Sequence, residues 1–72
     1  MQKIYIRDEF IKLGQALKLA GLVESGLDAK YAIQEGEVTL NGVVEIQRGK
    51  KCVPGDVICF EGNSFVIEGS SK

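Results

Sequence analysis

The sequence predicts an α+β domain, and three observations carry that prediction. Apolar residues recur at helical spacing as far as Gly36. They alternate at strand spacing from Glu37 onward, and the turn-forming pairs Asn41-Gly42, Pro54-Gly55 and Gly62-Asn63 punctuate them. The 72 residues suffice for one domain, assigned to residues 1–68, with residues 69–72 an unanchored, disordered tail. A core of this size rarely contributes more than about 3–5 kcal/mol net, so a deep catalytic cleft is hard to accommodate.

Residues 3–6 read as a short strand, with Ile4 and Ile6 on one face and Tyr5 on the other. A first helix spans residues 10–20, where Phe10, Leu13, Leu17 and Ala20 form one amphipathic stripe. Gly14 lies near that stripe and costs roughly 1 kcal/mol of helix propensity, tolerable where another backbone packs against it. Gly21 is the helix stop. Ser25 begins a second helix: its hydroxyl caps the backbone, and Asp28 completes a capping pair at the positive end of the dipole. Ala29, Ala32 and Ile33 are the buried stripe, and Gly36 is the left-handed terminator.

Residues 37–40 and 43–46 form a hairpin about Asn41-Gly42. A strict two-residue loop would set Val38 opposite Glu45 and mix the faces. A bulge pairing Leu40 with Val44 and Val38 with Ile46 is therefore expected. Pro54-Gly55 makes a type II turn, after which Asp56 is expected to cap local amides. Residues 57–61 and 64–67 form a second hairpin across Gly62-Asn63, pairing Phe60 with Phe65 and Ile58 with Ile67.

Composition narrows the class. A hydrophobic share of 44% and a charged share of 26% are those of an ordinary globular protein, with no apolar run long enough to span a membrane. The absence of a basic-then-apolar leader leads to an expected cytoplasmic location. Cys52 and Cys59 fit neither a CxxC redox motif nor a zinc knuckle, and there is no histidine. They read as reduced, partly buried thiols acting as small hydrophobes, so neither a metal nor a cofactor is expected. With no nucleophile elbow and no phosphate-binding loop either, an enzyme is not expected.

The net charge of −1 runs against the usual basic balance of nucleic-acid-binding domains, but its distribution is uneven. No acid falls between residues 10 and 23, which hold Lys12 and Lys18, and none falls between residues 46 and 55, which hold Arg48, Lys50 and Lys51. On the first helix Lys12, Gln15 and Lys18 fall away from the apolar stripe. So do Ile11 and Leu19, which are either covered by the first strand, the preferred reading, or meet a partner. On the second helix Lys30, Tyr31 and Gln34 lie off the buried stripe. Lys30 beside an exposed Tyr31 suits phosphate contact with stacking, and Tyr31 packed on the hairpin is the equal alternative. Gly49 lets the loop of Arg48, Lys50 and Lys51 display its cations together.

The stretches ESGLDAKYAIQEGEVTLNG and PGDVI, within a matching run of residues 11–60, resemble the ribosomal protein S-four type RNA-binding domain, or alpha-L motif. Similar domains occur in bacterial tyrosyl-tRNA synthetases, pseudouridine synthases and a heat-shock protein that binds ribosomal subunits. The resemblance implies a helix pair packed on a small, bent antiparallel sheet, with a binding face formed by the helices and the adjacent loop. Carried over by position, Lys12, Ser25, Lys30, Asn41 and the basic loop lie on or near that face, with Asn41 also serving its turn.

The sequence departs from the family pattern in three places. Gly26 follows the capping serine where arginine is common, Tyr31 and Gln34 stand where basic residues are frequent, and the basic loop replaces a proline-led segment. The expected function is recognition of structured RNA, ribosomal or transfer RNA, by a monomer through phosphate contacts. Lys30, Arg48, Lys50 and Lys51 lead the expected site; Lys12, Lys18, Ser25, Tyr31 and Asn41 support it. The rival reading is a protein-interaction adaptor that kept the fold and lost RNA.

Overall fold

A computed structural model describes residues 1–70. Two helices, α1 (Leu13–Leu19) and α2 (Gly26–Gln34), lie on a five-stranded sheet. Its strands are β1 (Gln2–Ile6), β3 (Val38–Leu40), β4 (Val43–Val44), β6 (Val57–Phe60) and β7 (Asn63–Gly69), with β2 (Ile11–Lys12) and β5 (Lys51–Cys52) forming a separate two-stranded ribbon. The sheet order is β1-β7-β6-β3-β4, antiparallel except that β1 runs parallel to β7. The expected α+β helix pair on a small sheet is thus present, and the sheet is mixed because β7, reached from β6 by a hairpin, fills the place beside β1 and runs in the same direction.

Leu13, Leu17, Ala29 and Ile33 from the helices meet Ile58, Phe65 and Ile67 from the sheet, all fully buried. Each such aliphatic or aromatic side chain contributes about 1.5–3 kcal/mol on full burial. Cys52 is buried with them and both thiols are free. Burial first, then the charge of Asp56, pushes the Cys52 thiol from 9.0 up to about 11, with Lys50 pulling the other way. No helix among the described residues is long and apolar enough to cross a membrane.

The first helix is shorter than its apolar stripe. It begins at Leu13 instead of residue 10, because Ile11 and Lys12 pair with Cys52 and Lys51. Phe10 therefore leaves the core and is partly exposed. Gly21, at φ +77°, is the stop that was expected. Ser25 caps α2 as expected, its Oγ accepting from the Asp28 amide at 3.1 Å.

Both hairpins depart from the expected register. The bulge is absent: Leu40 pairs with Val43 and Thr39 with Val44, and the Glu45 amide donates to the Val38 carbonyl. Asn41 and Gly42 take φ +54° and +85°, the tight turn whose twist suits flanking strands. The side chain of Asn41 holds that turn against β6: its Oδ1 accepts from the Val57 amide at 2.9 Å and its Nδ2 donates to Asp56 Oδ1 at 3.0 Å. The turn thereby overrides the hydrophobic pattern and leaves Val43, Val44 and Ile46 exposed.

In the second hairpin the turn is Glu61-Gly62, at φ +53° and +78°, not Gly62-Asn63. Phe60 pairs with Asn63 and Ile58 with Phe65. Partners differ from those expected by two positions, which keeps every apolar side chain on the same face. Asp56 caps as expected, its Oδ2 accepting from the Val53 amide at 2.9 Å. The expected loose tail is corrected at its start: Gly69 belongs to β7 opposite Ile6, and the Ser70 amide donates to the Ile6 carbonyl at 2.7 Å. Residues 71 and 72 lie outside the described residues.

Candidate nucleic-acid interface

The basic segment between the hairpins is fastened to the start of α1. Lys12 stands at the N-cap position with no side-chain cap, and carbonyls of the segment accept the first helical amides. Leu13 N–H donates to the Lys50 carbonyl at 2.9 Å and Gly14 N–H to the Arg48 carbonyl at 3.1 Å. Helix amides that water would otherwise satisfy thus position the loop. Gly14 permits the close approach: a Cβ there would stand 2.8 Å from Arg48 Cγ and 3.4 Å from Cδ. The aliphatic stem of Arg48 crosses the bare backbone of α1.

A hollow of about 310 Å³ opens between α1, the start of α2 and this loop. Lys12, Lys18 and Arg48 line it with Gln15, Gly26 and Ala29, and no acid does. Among the described residues none of these cations forms an ion pair. Gly26 is the first residue of α2, so the positive end of that helix dipole faces the same hollow. The arrangement suits a polyanion: three displayed cations, unbonded by acids, around a concavity with small residues on its floor.

Of the residues expected from sequence, the structure brings Lys12, Lys18 and Arg48 together, with Ser25 beside them as the α2 cap. Lys30 is half-buried on α2, next to Ala29 but outside the hollow. Lys50 is exposed, its carbonyl bound to α1. The Lys51 ammonium lies 4.8 Å from the centroid of the Phe10 ring and does not line the hollow. Asn41 ties the hairpins together, as described above, and is also outside it.

Tyr31 is set apart from the cations. Each helical residue turns about 100° from the last, so Tyr31 faces the other flank of α2. There it lines a separate hollow of about 430 Å³ with Glu24, Asp28, Glu35, Glu37 and Glu61. Of the two equal readings of Tyr31, packing on the hairpin is not what the structure shows, since Tyr31 is largely exposed, and Lys30 does not line the same hollow. Sequence reasoning also passed over Gln15 and Gly26 as lining residues. The signal was present for Gln15, three residues from both Lys12 and Lys18 and so on their face of α1.

Five of the ten acids line the hollow beside Tyr31. Carboxylates gather on one flank of α2 and cations on the other, so the charges are separated rather than mixed. Ile11 packs against the core, as preferred from sequence, whereas Leu19 is 56% exposed. No group of three or more His, Cys, Asp or Glu residues that could hold a metal exists among the described residues.

The fold and the cationic hollow together define a domain of the alpha-L type, a helix pair on a small sheet that presents a loop beside the helix ends. The chain belongs to the S4 domain family, whose pattern matches residues 4–68. It is 46% identical over 65 residues to "Probable ribosome maturation protein RlbA" of Bacillus subtilis, covering 89% of this chain and 92% of that protein. It is 44% identical over 57 residues to "Putative RNA-binding protein YbcJ" of Escherichia coli, covering 79% of this chain and 81% of that one. The solution structure of Escherichia coli YbcJ, described as revealing an alpha-L motif involved in RNA binding, superposes with a TM-score of 0.73. That match covers 94% of this chain and 87% of YbcJ at 36% identity. The family resemblance carried by the sequence is borne out, and the relatives found are named for RNA binding or ribosome maturation, not for catalysis.

Proposed function

We propose that this protein binds structured RNA, ribosomal or transfer RNA, as a cytoplasmic monomer that seats phosphates in the hollow between α1, α2 and the basic loop. The observation that carries this reading is the convergence of Lys12, Lys18 and Arg48 on one concavity that no acid lines. The names of the relatives support it: one is described by RNA binding and another by ribosome maturation. Phosphates fix the register on an RNA fold and carry little sequence information, so shape dominates recognition. Lys30, Lys50 and Lys51 flank the hollow and contribute less than the three residues inside it.

The test is fluorescence anisotropy with purified ribosomal RNA and transfer RNA at about 50 and 200 mM salt. Three phosphate contacts correspond to a loss of affinity of roughly 20- to 40-fold across that fourfold change in salt. Salt-insensitive binding, or none at the lower salt, overturns the reading and leaves the adaptor alternative.

A further inference from the structure

A second hollow, of about 580 Å³, opens where the end of β1 meets the exposed face of α1. Its volume falls within the range of roughly 300–1,000 Å³ usual for small-ligand sites. Unlike the phosphate hollow it carries exposed apolar groups: Tyr5 is 63% exposed, Leu19 56% and Phe10 37%. It is cationic as well, with Arg7 and Lys18 on its wall against Asp8. The Lys51 ammonium over the Phe10 ring adds positive charge beside it.

The two hollows adjoin across one face of α1. Gln15 and Lys18 line both of them, from neighbouring turns of the helix. A strand whose phosphate sits by Lys18 therefore has its next nucleotide within reach of Tyr5 and Phe10. Two exposed aromatic rings beside unpaired cations match the chemistry of an unpaired nucleotide, a flat apolar base attached to a phosphate. RNA-binding modules splay such bases onto aromatic side chains, and the stacking tolerates any base.

We propose that this hollow is a stacking subsite for one unpaired nucleotide adjoining the helical segment held in the phosphate hollow. The proposal rests on the RNA-binding reading above and narrows its ligand to helices interrupted by a bulge, a mismatch or a loop junction. The occupant is a nucleotide and not a protein helix because cations rim the hollow and because the phosphate hollow adjoins it through Gln15 and Lys18.

The probe is a hairpin RNA carrying a single bulged 2-aminopurine, compared with the same hairpin fully paired. Binding quenches the 2-aminopurine fluorescence in the unaltered protein, and the bulged hairpin binds more tightly than the paired one. Tyr5→Ala lowers affinity for the bulged hairpin by roughly 5- to 150-fold and leaves the paired hairpin unaffected, whereas Tyr5→Phe retains the preference. Equal, salt-dependent binding of both hairpins with no change in fluorescence overturns the stacking subsite while the phosphate hollow stands. Failure of the unaltered protein to bind either hairpin at about 50 mM salt overturns both readings together.

Discussion

Gly14→Ala separates the stability of the domain from its affinity for RNA, because the first hardly changes while the second falls. Alanine in place of glycine inside a helix contributes about 1 kcal/mol of propensity. The new Cβ would meet Arg48 Cγ at 2.8 Å, whereas relaxed carbon contacts lie near about 3.5–4.0 Å. The obstacle is Cγ, near the root of the Arg48 side chain, so clearing it turns the whole side chain about its first torsion, at a cost of about 0.5–1.5 kcal/mol. The opposing terms leave stability changed by less than about 1 kcal/mol, read as the urea midpoint. Arg48, however, leaves the hollow, and with it one of the three convergent cations. Counterion release alone then lowers RNA affinity by roughly 8- to 15-fold at about 50 mM salt and reduces the salt slope by about 0.7–0.9. Arg48→Ala gives the same loss, and the double variant is no worse than either single one, since both remove the same contact. Unchanged affinity and slope in Gly14→Ala would refute the role given to Arg48. A stability loss beyond about 2 kcal/mol would show instead that the loop backbone itself had been displaced.

Asn41→Ala removes two exposed side-chain hydrogen bonds, at about 0.5 kcal/mol each, and places alanine at φ +54° for about 1 kcal/mol more. The expected loss is about 2 kcal/mol in urea unfolding, with the salt slope of RNA binding unaltered because Asn41 lies outside the hollow. Glu61→Asn relieves a left-handed glutamate at φ +53° and creates the preferred Asn-Gly turn. A gain of about 0.5–1 kcal/mol follows, seen as a melting temperature higher by roughly 2–8 °C. The raised Cys52 thiol makes stability fall at alkaline pH. Between 9.0 and about 11 the unfolded chain has released a proton that the folded one retains, so stability falls progressively through that window, is unaffected by this group below it, and stays at the lowered level above it. Cys52→Ala flattens the decline in the pH dependence of the urea midpoint, and an unchanged decline would locate its cause elsewhere.

Features written in local chemistry are legible in the amino-acid sequence. Ser25 before Asp28, Gly21 and Gly36 after apolar stripes, and Asp56 behind Pro54-Gly55 each act within a few residues of themselves, and the structure shows each acting as expected. The registers were not readable, because they depend on which residue accepts a left-handed backbone. Glu61 does so although glutamate rarely does, and Asn41 does so while bonded to Asp56, a residue distant in sequence. The start of α1 was hidden for a related reason: the apolar stripe continues through Phe10, but Ile11 and Lys12 are taken by a strand pairing with Cys52 and Lys51. Lys12, Lys18 and Arg48 were identified from their positions in acid-free stretches. That they converge, while Tyr31 turns toward carboxylates, depends on helix rotation and on the loop crossing Gly14.

The separation of charge across α2 bears on what kind of RNA the proposed site accepts. At physiological salt the screening length is about 8 Å, so a total charge near zero produces little long-range pull and contact decides the outcome. An RNA that seats phosphates by Lys12, Lys18 and Arg48 is held. One whose backbone continues past the second helix meets Glu24, Asp28, Glu35 and Glu37 and is repelled. If RNA is seated as proposed, acids on the far flank would act as a boundary, rejecting long uniform duplexes and favouring a helix that ends, bends or bulges at the edge of the hollow. Neutralising that flank with Asp28→Asn and Glu35→Gln tests the idea. Affinity for a long uniform RNA duplex rises while affinity for a short hairpin stays within about twofold, since only the long duplex reaches the acids. Equal gains for both RNAs would mean that the acids act only through total charge, and the boundary would then have no part in selection.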